Sequence, residues 1–170
     1  MNTPFTRKNV WLRDKGICRY CGNPVSPEQM VLIHVIPMSQ GGPNTWDNVV
    51  TGCVECSVRK CALIQVVDGL NECEKAQLKQ KGYTSAAFFT EAGELTPQYT
   101  WYAKEKKKYI NIDCGGSGAF MVDKATGEIY NIKGYGTPDK NKKLKADLGN
   151  IATVDPKVLH SKRWNYLNRR

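Results

Sequence analysis

The sequence predicts an α+β fold in three consecutive parts: a small finger of strand, loop, strand and helix over residues 1–67, a helical brace over 68–97, and a basic, β-rich region over 98–170. Three observations predict it. Two Cys-x-x-Cys pairs bracket a β-rich segment; the texture changes to alternating, strand-like stretches after Gln98; and the charge is divided unevenly. Residues 1–100 carry ten Lys/Arg against nine Asp/Glu, whereas 101–170 carry fifteen against seven.

At 170 residues with 41% hydrophobic and 24% charged positions, the chain is a folded protein too short for a large barrel or doubly wound sheet. The longest apolar stretch, Ala62 to Val67, is interrupted by Gln65 and is far too short for a bilayer. The N-terminal stretch lacks an apolar core and a small-residue cleavage site, so the expected location is the cytosol. A net charge of +9 favours a polyanionic partner, nucleic acid before membrane because no amphipathic basic helix is evident. A merely solubilising surface is the alternative.

Taken in order, Cys18-x-x-Cys21 and Cys53-x-x-Cys56 are separated by 31 residues. Two residues between cysteines let both sulfurs of a tight turn face one ion, and a second such turn completes a tetrahedral thiolate cage suited to zinc. A four-thiolate site has no open position, so the ion is expected to be structural, stapling a small domain. Cys61, Cys73 and Cys114 lack this spacing and are expected to be buried small side chains. Between the pairs, Met30 to Ile36 reads as a strand ending at Pro37, with His34 near its end. The loop Ser39 to Asn44 is turn chemistry throughout, Thr45 to Val50 leads into a second strand, and Val54 to Val67 has no breaker and reads as helix.

The strings Cys18-Arg-Tyr-Cys21-Gly22, then Ile33-His34-Val35-Ile36-Pro37, Gly41-Gly42-Pro43, Thr45-Trp46-Asp47-Asn48-Val49-Val50, and Cys53-x-x-Cys56-Ser57-x-x-Lys60 resemble, in that order, the HNH endonuclease family, whose fold is the ββα-metal (His-Me) finger. The resemblance covers about residues 5–62. It implies a protein that cuts or nicks DNA with a divalent ion, in a family many of whose members are encoded by phages and mobile elements. It implies that His34 is the general base that activates water, that Asn48 orients it, and that Ser57 occupies the position of the second ligand to the hydrolytic metal, usually Asn or His.

Two positions depart from the family pattern. Ile33 stands where the first metal-binding Asp is usual and offers no oxygen, and Ser57 offers only a neutral hydroxyl. Magnesium wants carboxylate or amide oxygens and gives up water reluctantly. Ser57, or a carboxylate such as Glu55 or Asp47, is then the remaining route to a hydrolytic ion. Trp46 is expected to be core, while Arg19, Arg59 and Lys60 on or beside the knuckles suit phosphate contacts.

Beyond the finger, Asn71 to Gly82 reads as a capped helix and Thr84 to Ala92 as another short one. Strands are expected over Tyr99–Ala103, Tyr109–Asp113, Ala119–Asp123 and Glu128–Lys133, with a hairpin turn at Lys124 to Gly127 and a glycine turn or linker at Gly115 to Gly118. Lys104 with Lys106, Lys107 and Lys108, then Lys140, Lys142, Lys143 and Lys145, then Lys162, Arg163, Arg169 and Arg170 form three basic clusters. They are interleaved with aromatics such as Tyr109 and Trp164, a pattern that suits a phosphate track with base stacking as well as it suits a charged rim.

The leading reading is a DNA-binding protein of HNH descent with structural zinc and an impaired hydrolytic centre. A working metal-dependent endonuclease or nickase, using magnesium or another divalent ion with His34 as base, is the first alternative. A phage-encoded inhibitor that binds a host protein on an HNH scaffold is the second.

Overall fold

The computed structural model describes residues 6–134, 137–139 and 148–167, and the chain divides into two compact units, residues 1–60 and 61–170. Among the described residues the element order is α1 (Arg7–Arg13), β1 (Val31–His34), β2 (Val49–Gly52), α2 (Val54–Gln80), β3 (Trp101–Glu105), β4 (Tyr109–Cys114), β5 (Ser117–Asp123), β6 (Ile129–Gly134), β7 (Thr137–Pro138) and α3 (Pro156–Leu167). The mixed helix-and-sheet class expected from the sequence is the one observed. No helix among the described residues is long and apolar enough to cross a membrane.

In the first unit, β1 and β2 pair antiparallel, with His34 opposite Val49. The hairpin and the start of α2 enclose a small core of Cys18, Val25, Met30, Ile33, Val50 and Cys56. α1, which the sequence reading did not anticipate, is capped by the Thr6 side chain accepting from the Asn9 N–H. Its last residue, Arg13, donates to the carbonyls of Trp46 (2.7 Å) and Val49 (2.6 Å) and lies over the Trp46 ring, which is therefore half-buried under a cation rather than central in the core. Arg7 donates to the Met30 carbonyl in the same way. The stretch from Thr45 leads into the second strand through a 3-10 turn at Trp46–Asn48.

The second unit is a five-stranded antiparallel meander, β3-β4-β5-β6-β7. Trp101, Ile112, Phe120, Val122 and Ile129 of one face pack on Leu63, Val66, Val67 and Leu70 of α2, Leu159 of α3, and Leu148 and Ile151. Where separate helices were expected before and after residue 70, α2 runs unbroken for 27 residues. Asn71 is not an N-cap: its amide bonds both the N–H (2.8 Å) and the carbonyl (3.0 Å) of Trp101, tying β3 to the helix. Gly82 does follow the helix end in a left-handed conformation, with φ of 77°. Thr84 to Ala92 forms turns instead of a helix, closing over Leu78, Phe89 and Leu95. Gly115 and Gly116 are the β4–β5 turn, not a linker, and a side chain at Gly115 would collide with the Gln98 carbonyl. α3 lies in the part of the chain expected to be β-rich; the Asp155 carboxylate, accepting from the Lys157 N–H at 2.8 Å, and Pro156 at the first position start it.

Candidate metal centre and His34 site

The four expected cysteines converge, with their sulfurs all within 4.8 Å of one another. Cys18 and Cys21 lie on a turn whose Gly22 adopts φ of 77°, Cys53 joins β2 to α2, and Cys56 sits in the first turn of that helix. The Cys21 and Cys53 sulfurs are 4.0 Å apart. Zinc–sulfur bonds of about 2.3 Å in a tetrahedron place sulfurs slightly under 4 Å apart, so the donor set fits such an ion. Backbone N–H groups of Cys53 and Cys56 point at the Cys18 and Cys53 sulfurs, at 3.4 and 3.5 Å.

Their electrostatics ask for a cation. Burial opposes ionisation of Cys18, but the backbone N–H groups of Cys21, Cys53 and Tyr20 outweigh it and bring the thiol down to about 7. Burial and the neighbouring Cys18 sulfur then hold Cys21 above the usual thiol range, and burial with the adjacent sulfurs pushes Cys56 up strongly. The Cys18 thiolate forms readily and disfavours a second charge on Cys21 and Cys56; a divalent ion would remove that repulsion. Cys61, expected to be buried, is exposed, and Cys73 and Cys114 are half-buried. Burial of Cys114 keeps its thiol protonated, with a pKa raised to about 11.

His34 ends β1 beside the loop that leads to β2. Asn48, 6% exposed, directs its side-chain hydrogen bonds to backbone and not to the ring. Its oxygen accepts from the Ile36 N–H at 2.8 Å, and its amide nitrogen donates to the carbonyls of Ile36 (2.9 Å) and Pro43 (2.8 Å), so it clamps both ends of the loop. The loop is tight enough that a side chain at Gly42 would overlap the Ile36 carbonyl. The contact to the imidazole comes from Asn44, which the sequence reading passed over as turn chemistry: its Oδ1 lies 3.0 Å from Nε2 of His34.

Ile33 is 5% exposed and belongs to the core around Cys18 and Cys56. Its side chain fills the space in front of Gly52, where any Cβ would overlap it. Ser57 is half-buried on the first turn of α2, its N–H bonded to the Cys53 carbonyl. Glu55 is exposed and within 3.5 Å of Arg59, and Asp47 is exposed. The cysteine cluster is the one group of three or more His, Cys, Asp or Glu with metal-holding geometry among the described residues.

Among the basic residues, Arg19 is exposed on the first knuckle. Lys60 is largely occupied by the fold: its ammonium donates to the Tyr20 hydroxyl and the Val35 carbonyl, both at 2.8 Å. In the second unit, Lys106, Lys107 and Lys108 are exposed between β3 and β4, with Lys108 over the Tyr109 ring. Lys142, Lys143 and the rest of the second cluster lie outside the described residues, as do Arg169 and Arg170.

Residues 18–65 match the family model described as HNH endonuclease, the family expected from the motifs. That family is one of nucleic-acid nucleases. No curated protein matches the chain.

Proposed function

We propose that this chain binds DNA through an HNH-type finger held by structural zinc, and that its hydrolytic centre is impaired. The observation that carries this reading is Ile33. Where the family pattern has an oxygen ligand, an aliphatic side chain is packed into the core of the finger, and the hydroxyl of Ser57 is a weak sole anchor for a hard cation. Losing one outer partner of a metal site typically costs 10- to 100-fold in affinity or activity, so replacing two direct ligands should cost more. In this reading His34 retains the place of the general base, Asn48 holds its loop, and Ser57 marks the altered ligand position. Arg19 and Arg59, with Lys106, Lys107 and Lys108 of the second unit, contact phosphates. Lys142 and Lys143 extend the same basic character in sequence.

A specific observation favours a second reading, a working nickase: the half-buried His34 ring is held by a hydrogen bond in one orientation, as a functioning base requires. One pair of measurements separates the two. Duplex DNA retention is measured across a salt series, and supercoiled plasmid is incubated with magnesium, manganese or nickel beside a His34→Ala control. The impaired reading expects retention whose log affinity falls linearly with log salt, by about 0.9 per neutralised phosphate, and plasmid conversion indistinguishable from the control. Rapid cutting abolished in the control establishes the nickase instead. Absence of retention at low salt overturns DNA binding altogether.

A further inference from the structure

We infer that Asn44 is the positioning residue of His34: its side-chain oxygen holds the Nε2–H edge of the imidazole, so that Nδ1 is the nitrogen left to take a proton. The inference rests on the reading of His34 as a general base given above, and adds to it which ring nitrogen acts and what decides the matter.

The Asn44 Oδ1 lies 3.0 Å from Nε2 of His34. A carboxamide oxygen only accepts, so at this distance the ring must donate, and a neutral imidazole with its hydrogen on Nε2 has its lone pair on Nδ1. Had the partner been a donor, the opposite tautomer would be selected and Nε2 would carry the lone pair.

The rest of the loop explains why this asparagine is in place. Asn48 donates to the carbonyl of Pro43, the residue directly before Asn44, at 2.8 Å, and brackets Ile36 from both sides. The Asn48 carbonyl accepts from the N–H of Val35, the residue after His34, at 2.7 Å. Gly42 lies against the Ile36 carbonyl with no room for a side chain. The buried Asn48 thus sets the loop, the loop sets Asn44, and Asn44 sets the ring. Asn48 acts on His34 at one remove, through backbone, and Asn44 acts on it directly. Asn44 is itself exposed, so its replacement leaves no buried group unpaired and is expected to leave the fold intact.

The test is the protonation pattern of His34 in the full chain, read by nitrogen-15 NMR of the side chain above the pH at which the ring is charged. The chain has two histidines, so a His34→Ala variant assigns the signals. The expected result is a wild-type ring with its hydrogen on Nε2, an Asn44→Ala ring that samples both tautomers, and return of the wild-type pattern in Asn44→Asp, which keeps the oxygen. Thermal unfolding should be the same in all three. An unchanged tautomer balance in Asn44→Ala, or a wild-type hydrogen on Nδ1, overturns the inference. Plasmid nicking tests the underlying reading separately: if it occurs, Asn44→Ala should lower kcat about tenfold with KM unchanged, whereas equal kcat overturns the positioning role. If wild type and His34→Ala are equally inert, the working-base reading fails while the tautomer result still decides what Asn44 does.

Discussion

Asp14 sits where α1 meets β2, and its carboxylate accepts from the Thr51 N–H at 2.7 Å and from Arg13 at 2.8 Å. Burial alone would raise its pKa, but the Arg13 guanidinium and the Thr51 N–H together hold it below the ordinary value of 3.8. A carboxyl whose folded-state pKa is depressed contributes stability at every pH above its unfolded value and loses it as pH falls through the folded one. Asp14→Asn is therefore expected to lower stability by about 1–2 kcal/mol at pH 7. The deficit should shrink as pH drops below about 4, the window set by that ordinary value. Denaturant unfolding of both proteins between pH 3 and 7 checks this; a deficit constant across the range would show that the charge is not what Asp14 supplies. Such a residue was illegible in the sequence, because nothing in an Arg-Asp dipeptide announces that its partner lies 37 positions away in a strand. The cysteines were legible for the opposite reason. Thiolate chemistry and knuckle geometry constrain spacing locally, and two matched pairs leave few arrangements. Asn44 fell between these cases: loops full of Asn and Gly read as turn formers, and only coordinates tell an asparagine that caps backbone, Asn48, from one that reaches a side chain.

Among the elements, α2 departs furthest from local expectation. Gly69 interrupts its helical pattern, and an isolated glycine in a helix costs close to 1 kcal/mol relative to alanine, so ending one helix there and starting another at Asn71 is reasonable from propensity. Packing supplies the actual reason for both residues. A Cβ at Gly69 would stand 2.5 and 2.7 Å from the Pro156 ring carbons at the start of α3, so the glycine permits the helices to approach. Asn71 then serves β3 by pairing with the Trp101 backbone. Gly69→Ala consequently sets a helix-propensity gain against a clash with a rigid ring. The clash is expected to win, for a net destabilisation of about 1–3 kcal/mol, measured by urea unfolding. A stabilised variant would mean that the crossing relaxes freely and that Gly69 is merely tolerated. The strands were more legible because antiparallel meanders are local: each strand pairs with its sequence neighbour, and the glycine-bearing turns at 115–116 and 127 announce the reversals.

At the scale of the whole molecule, the two compact units rest on different physics. The second has an apolar core of a dozen buried residues, braced by a buried hydrogen-bonded cluster in which the Glu74 carboxylate meets the His160 ring at 2.8 Å and the Trp101 indole N–H at 3.1 Å. The first has a core of six, of which two are Cys18 and Cys56 of the candidate metal centre, and domains this small generally need a staple. Metal binding is then folding free energy for the first unit and largely irrelevant to the second. Calorimetry of the full chain with and without a strong chelator, and of Cys56→Ser, should show two transitions in the metal-loaded protein. The one assigned to the finger should be lost on chelation, and the other should survive with at most a small shift from fraying of the first turns of α2. The finger transition is identified by its response to added zinc. A chelator-treated protein that unfolds as the untreated one does would remove the metal from the account and leave four neighbouring thiols to be explained as packing; loss of both transitions together would mean that α2 couples the units so tightly that neither folds alone.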